Sequence, residues 1–195
     1  MDAKQALHHY LVEQRADLLA KLDGLGEYDV RRPLTPTGTN LLGLVKHVAY
    51  VQLGYFTTVF GRSPGHSFPD DVEGADPDDD LWVPADESRG DVVALHHESA
   101  RRADETIAEL ALDAPGLVPW WRPGRQEVTL ARIMTHVLVD TARHTGHADI
   151  LRETLDGQAG MRPGDPNVPT RTPAEWAAHR AVIEAAARVA GGAGF

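Results

Sequence analysis

Apolar residues recur at helical spacing in five stretches of this chain. Leu7, Leu11, Leu18 and Leu22 mark a first helix over residues 3–22, ended by Gly24 and Gly26. The next segment, YDVRRPLTPTGTN, is rich in Pro, Gly and Thr and reads as a loop. Thr39 or Asn40 can cap a second helix over residues 41–60, closed by Gly61 and Pro64. After a long connection, Ser88 with Asp91 three residues on resembles a capping box. It opens a third helix over residues 89–110, with Val92, Leu95, Ala103, Ile107 and Leu110 as its stripe. Thr129 opens a fourth helix over residues 130–155, with Gly157 where a C-terminal glycine belongs. A last short helix, residues 173–190, has Thr172 as cap and Pro173 at its first position. Strand-like alternation is absent over any useful length. The pattern predicts an all-α fold, a four-helix bundle with a long connection between helices two and three and a short C-terminal helix. One domain over residues 1–195 is expected, with the loop and helix of 158–195 packing on the bundle.

Two helices break their own apolar stripes. With about 100° per residue, and Asp140 set at zero, Ile133 and Leu151 fall at about 20° and Val137 and Leu155 at about 60°. His144 falls at about 40°, so Asp140 and His144 sit inside the apolar arc. His136 and His147 lie on its near flank. On the second helix His47 borders the stripe formed by Leu44, Val51 and Tyr55. Gly43 and Gly54 lie just beside it, where another helix or a ligand could approach closely. A carboxylate turned to a core is costly unless it is paired or binds a metal. Two readings remain open on this pattern. Asp140 and His144, four apart on one face, could join His47 from another helix as ligands of a divalent ion. Alternatively, Asp140 is the hydrogen-bond partner of a core histidine.

Composition narrows the chemistry. The chain has 195 residues and no Cys, so disulfides, thiolate nucleophiles and Cys-based zinc sites are excluded. Any metal site must use His, Asp or Glu. Hydrophobic residues make up 42% and charged residues 25%, ordinary for a globular protein able to build its core without a structural ion. The net charge of -10 argues against a nucleic-acid partner, which would call for a basic face. No apolar run is long enough to span a bilayer, and the N-terminus lacks a signal-peptide core. The expected setting is cytoplasmic, with no membrane partner.

Other features read more plainly. The connection over residues 62–87 carries Asp70, Asp71, Glu73, Asp76, Asp78, Asp79 and Asp80 without the spacing of an EF-hand, and reads as a solvated loop. Trp120 and Trp121 read as packing anchors at a helix-end turn, with a place at a pocket mouth as the other option. Arg143 lies off the apolar arc and reads as exposed or salt-bridged, although its position beside His144 would also suit an anionic substrate.

The segments TPTGTNLLGLVKHVAYVQLGYF and TARHTGHADILRETLDG, together with PWW, resemble the DinB-like superfamily. Within it they are similar to the actinobacterial branch of mycothiol-dependent maleylpyruvate isomerase. The resemblance covers most of the chain. It implies a four-helix bundle, often a homodimer, with a metal held by His47, Asp140 and His144. The isomerase-like branch carries Glu where this chain has Asp140, one methylene shorter, which leaves His147 as an alternative ligand. Otherwise His147 is the expected proton-handling, catalytic residue. The resemblance further implies a divalent ion, zinc or nickel, and mycothiol or a similar small thiol as cosubstrate, transferred or added to an electrophile. The rival readings are a non-catalytic metal-binding or small-molecule-binding stress protein, and a metal-dependent hydrolase.

Overall fold

A computed structural model describes residues 1–71 and 73–192. In chain order the elements are α1 (Ala3–Ala20), a short α2 (Glu27–Arg31), α3 (Leu41–Phe56), α4 (Arg89–Glu109), β1 (Pro115–Leu117), β2 (Glu127–Thr129), α5 (Leu130–Asp156) and α6 (Pro173–Ala190). Single 3-10 turns lie at Thr58–Phe60 and Pro69–Asp71. Among the described residues, no helix is long and apolar enough to cross a membrane. The chain divides into two compact units, Met1–Pro163 and Gly164–Phe195. Residues 193–195, the end of the expected single domain, lie outside the described residues. In the second unit, α6 is opened by a capping box between Thr172 and Glu175, with Pro173 in its first turn.

The first unit is an all-α bundle of α1, α3, α4 and α5. α3 packs on both α4 and α5, and α1 packs mainly on α5. The caps read from the sequence operate here. Asn40 accepts from Gly43 N–H, Ser88 and Asp91 form a reciprocal box, and Thr129 accepts from Arg132 N–H. Gly157 ends α5 at φ 81°. Two segments differ from expectation. The α-helical part of α3 stops at Phe56, because Thr57 turns its hydroxyl back onto the Leu53 carbonyl and the chain tightens into a 3-10 turn. The loop after α1 contains the five-residue α2, and the turn before α5 is an antiparallel hairpin with Gly116 opposite Val128. Both are too short for a hydrophobic period to announce them.

The core is layered. One apolar cluster holds Leu18, Leu42, Val45, Val92, Ala148 and Leu151. A second holds Leu11, Phe56, Ala103, Ile107, Ile133 and Val137. A third, smaller cluster holds Ala49, Leu53 and Leu95. Every helix of the bundle also buries polar residues along its stretch between the first two clusters. They are Arg15 on α1, Gln52 on α3, His96 and Ser99 on α4, and Thr141 and Thr145 on α5. Arg15 Nη1 donates to Asp104 at 2.6 Å and Gln52 Nε2 donates to Ser99 at 3.3 Å. Both ring nitrogens of His96 and Gln52 Oε1 have no hydrogen-bond partner among the described residues. Asp140 and His144 belong to the same stretch of α5, turned toward α3.

Candidate metal centre and the adjoining cleft

α3 and α5 meet along two matched faces. His47, Val51 and Tyr55 are spaced by four on α3; His136, Asp140 and His144 are spaced by four on α5. The rings of His47 and His144 are 4.7 Å apart, edge to face, and those of Tyr55 and His136 are 4.8 Å apart. These two contacts fix the helices as antiparallel neighbours, with Asp140 between the two ring pairs.

At one end of this seam, one donor atom each from His47, Asp140 and His144 lies within 4.8 Å of the other two. The Asp140 and His144 side chains keep only 29% and 16% of their surface exposed, so the cluster is partly dry yet open to solvent on one side. Asp140 Oδ1 is 3.6 Å from His144 Nε2, too far for a hydrogen bond. Asp140 Oδ2 and His144 Nδ1 are buried without a partner among the described residues. A simple hydrogen-bonded His–Asp pair would have closed that gap. Burial raises the Asp140 carboxyl, but attraction from His144, His47 and His136 together outweighs it and holds the group below its ordinary range. It is therefore an anion at neutral pH. Two imidazole nitrogens and one carboxylate oxygen suit a borderline divalent cation, and three ligands leave a coordination position open.

The ring of His47 is set by a residue outside α3 and α5. His47 Nδ1–H donates to Asp80 Oδ2 at 2.7 Å. A carboxylate only accepts, so Nδ1 carries the proton and the lone pair of the neutral ring is at Nε2. The end of the acid-rich connection is clamped to α3 by several bonds. Asn40 Nδ2 donates to the Leu81 carbonyl, and Lys46 Nζ donates to the Trp82 carbonyl and to Glu87. Gly43 makes this possible, since a Cβ there would lie 1.9 Å from the Leu81 carbonyl oxygen. The glycine beside His47 thus admits the connection rather than another helix.

At the other end of the seam the turn after β1 folds over α5. Trp121 Nε1–H donates to Tyr55 Oη at 2.8 Å, and Trp120 Nε1–H reaches the same oxygen at 3.3 Å. Gly54 faces the Trp120 ring, 3.5 Å from where a Cβ would sit. The Trp121 ring also meets His136, at 5.1 Å between centroids. Burial and the charge of Arg132 hold His136 below its ordinary value, against the pull of Asp140. Outside this cluster opens a cleft of about 860 Å³, with both tryptophans and His136 in its wall.

The structure places the sequence candidates as follows. His47, Asp140 and His144 come together. His147 lies outside that group, exposed, with its ring 5.6 Å from that of His144. Arg143 is exposed. Trp120 and Trp121 act both as anchors on Tyr55 and as cleft wall. The sequence pattern does not single out Asp80, which lies in the acidic run that reads as a solvated loop. It also left Tyr55 and His136 without roles.

The sequence model of a family described as mycothiol-S-transferase matches residues 6–157. That span runs from the first turns of α1 to the end of α5, includes every residue of the seam, and ends before α6. A search of curated proteins gave no match.

Proposed function

Because the chain belongs to the mycothiol-S-transferase family, we propose that it is a metal-dependent enzyme that transfers a mycothiol-like thiol to a small electrophile. His47, Asp140 and His144 hold one divalent ion in this reading; the donors suit zinc, nickel or iron(II), and the family resemblance favours zinc or nickel. One observation carries it: two imidazoles and an ionised carboxylate from two helices converge within 4.8 Å, with the buried Asp140 Oδ2 and His144 Nδ1 left without partners. When bound, such an ion lowers the pKa of a thiol and holds the resulting thiolate close to an electrophile.

The remaining work falls to the chain. Asp80 keeps His47 in the tautomer that offers Nε2. Asp140 supplies the negative charge that a dication calls for. His147, at the solvent edge beside His144, takes up the proton that the thiol gives up. The thiolate sulfur then forms the new bond to the electrophilic carbon as the leaving group departs with its electron pair. Tyr55 and the two tryptophans cover the far end of the seam and limit water there.

The test is a thioether assay. Metal-loaded protein, mycothiol and 1-chloro-2,4-dinitrobenzene should give the thioether and chloride faster than the same mixture without protein. Chelation should remove the excess rate. No acceleration with mycothiol, bacillithiol or glutathione across several electrophiles, in protein that carries its ion, would refute the transferase reading.

A further inference from the structure

The cleft beside the triad has an unusual charge for this chain. The protein carries 29 acidic against 19 basic residues. Yet the cleft wall includes Arg122, Arg125 and Arg132 together with His136, and no carboxylate. Among the described residues, none of the three guanidinium groups is paired with an acid. Arg132 lies over the Trp121 ring at 4.8 Å, and its long bonds go to the backbone carbonyls of Arg125 and Glu127. Three unpaired cations on one wall repel one another, and an anion in the cleft would relieve this. Guanidinium groups match the two oxygens of a carboxylate. Trp120 is anchored on Tyr55 yet half exposed, so its open ring surface can cover a flat ligand.

We infer that this cleft binds a conjugated or aromatic carboxylate, its anionic end on Arg122 and Arg125 and its flat body against Trp120. The position of the cleft gives the ligand a direction. His136 lines the cleft and stands one turn from Asp140 on the same face of α5. A carboxylate held by Arg122 and Arg125 leaves the other end of the ligand to extend along α5 toward the triad. On the function proposed above, this ligand is the electrophilic cosubstrate. The class is then one in which the reactive carbon and the carboxylate lie at opposite ends of a planar skeleton.

The experiment uses two isosteric probes, 4-nitrobenzoate and its neutral amide 4-nitrobenzamide, whose nitro group quenches tryptophan fluorescence. Titration of the full-length protein should give saturable quenching by the benzoate, with affinity at least about tenfold above the amide, as a charge-assisted carboxylate contact implies. The double variant Arg122→Gln/Arg125→Gln should lose that preference while keeping the helical circular dichroism and metal content of the parent. Equal affinity for the two probes, no saturable quenching by either, or an undiminished preference in the double variant would overturn the proposal. The readout needs neither ion nor thiol. A protein that shows the preference but transfers no thiol refutes the transferase reading alone; one that transfers thiols without the preference refutes this inference alone.

Discussion

Asp80 Oδ2 sits 2.7 Å from Nδ1 of His47, so an acid from the connection between α3 and α4 orients a histidine of the seam between α3 and α5. The two residues are 33 positions apart. Their pairing joins the least regular segment of the bundle to its candidate centre, and removing the acid should be felt at that centre.

Asp80→Ala should lower affinity for a divalent ion by about 10–100-fold, the usual cost of removing the partner of a ligating histidine. The helical signal should be unchanged. Asp80→Asn should lose less, because its amide oxygen still accepts from Nδ1–H. Competition against a chromophoric chelator measures both, and an Asp80→Ala protein that binds as tightly as the parent would separate the acid from the centre.

Two glycine substitutions should act in opposite directions. Gly43→Ala pushes a methyl group into the Leu81 carbonyl and must displace the segment next to Asp80, at a cost of about 1–3 kcal/mol. Metal affinity should fall with it. Gly146→Ala, on α5, meets nothing within 4 Å and should gain about 0.5–1 kcal/mol from helix propensity. Urea midpoints decide the matter; a Gly43→Ala protein as stable as the parent would mean that α3 does not need this close approach.

Burial, aided by the charges of Arg15 and His97, pulls His96 down from 6.5 to about 3. The unfolded chain therefore takes up this proton well before the folded one as pH falls. Above pH 6.5 the group is neutral in both states and contributes nothing to the pH dependence. Below it, stability is lost at up to about 1.4 kcal/mol per pH unit until the folded value is reached. His96→Leu removes this component and replaces two unpartnered nitrogens by apolar atoms of similar volume. Its stability at neutral pH should match or exceed the parent, and its decline toward acid should be shallower. Parallel pH curves for the two proteins would contradict the assignment.

The helices were legible because their signals are local. Asn40, the Ser88–Asp91 box, Thr129 and Gly157 each act within one turn, and the apolar stripes between them repeat often enough to count. The faces of His47, Asp140 and His144 were legible for the same reason. The stripes leave the contact between α3 and α5 as one of two open readings, and the family resemblance favours it. Asp80 could not be chosen from seven acids between residues 70 and 80, because no period runs through that segment. What selects it is the docking of Leu81 on Gly43 and of the Trp82 carbonyl on Lys46, a tertiary fit with no sequence repeat. The cleft was hidden likewise, since Trp120 and Trp121 gain their place only when the hairpin brings them onto Tyr55.

Metal titration of Asp140→Asn beside the parent and His147→Ala tests the central claim most directly. Asn keeps the shape of the side chain and can still accept a hydrogen bond from a neutral imidazole, but it removes the only anion of the triad. The parent should bind about one zinc or nickel ion per chain. His147→Ala should bind it equally well, and Asp140→Asn at least tenfold more weakly, a loss above about 1.4 kcal/mol. An Asp140→Asn protein that binds the ion as tightly as the parent would contradict the assignment of His47, Asp140 and His144 as its ligands.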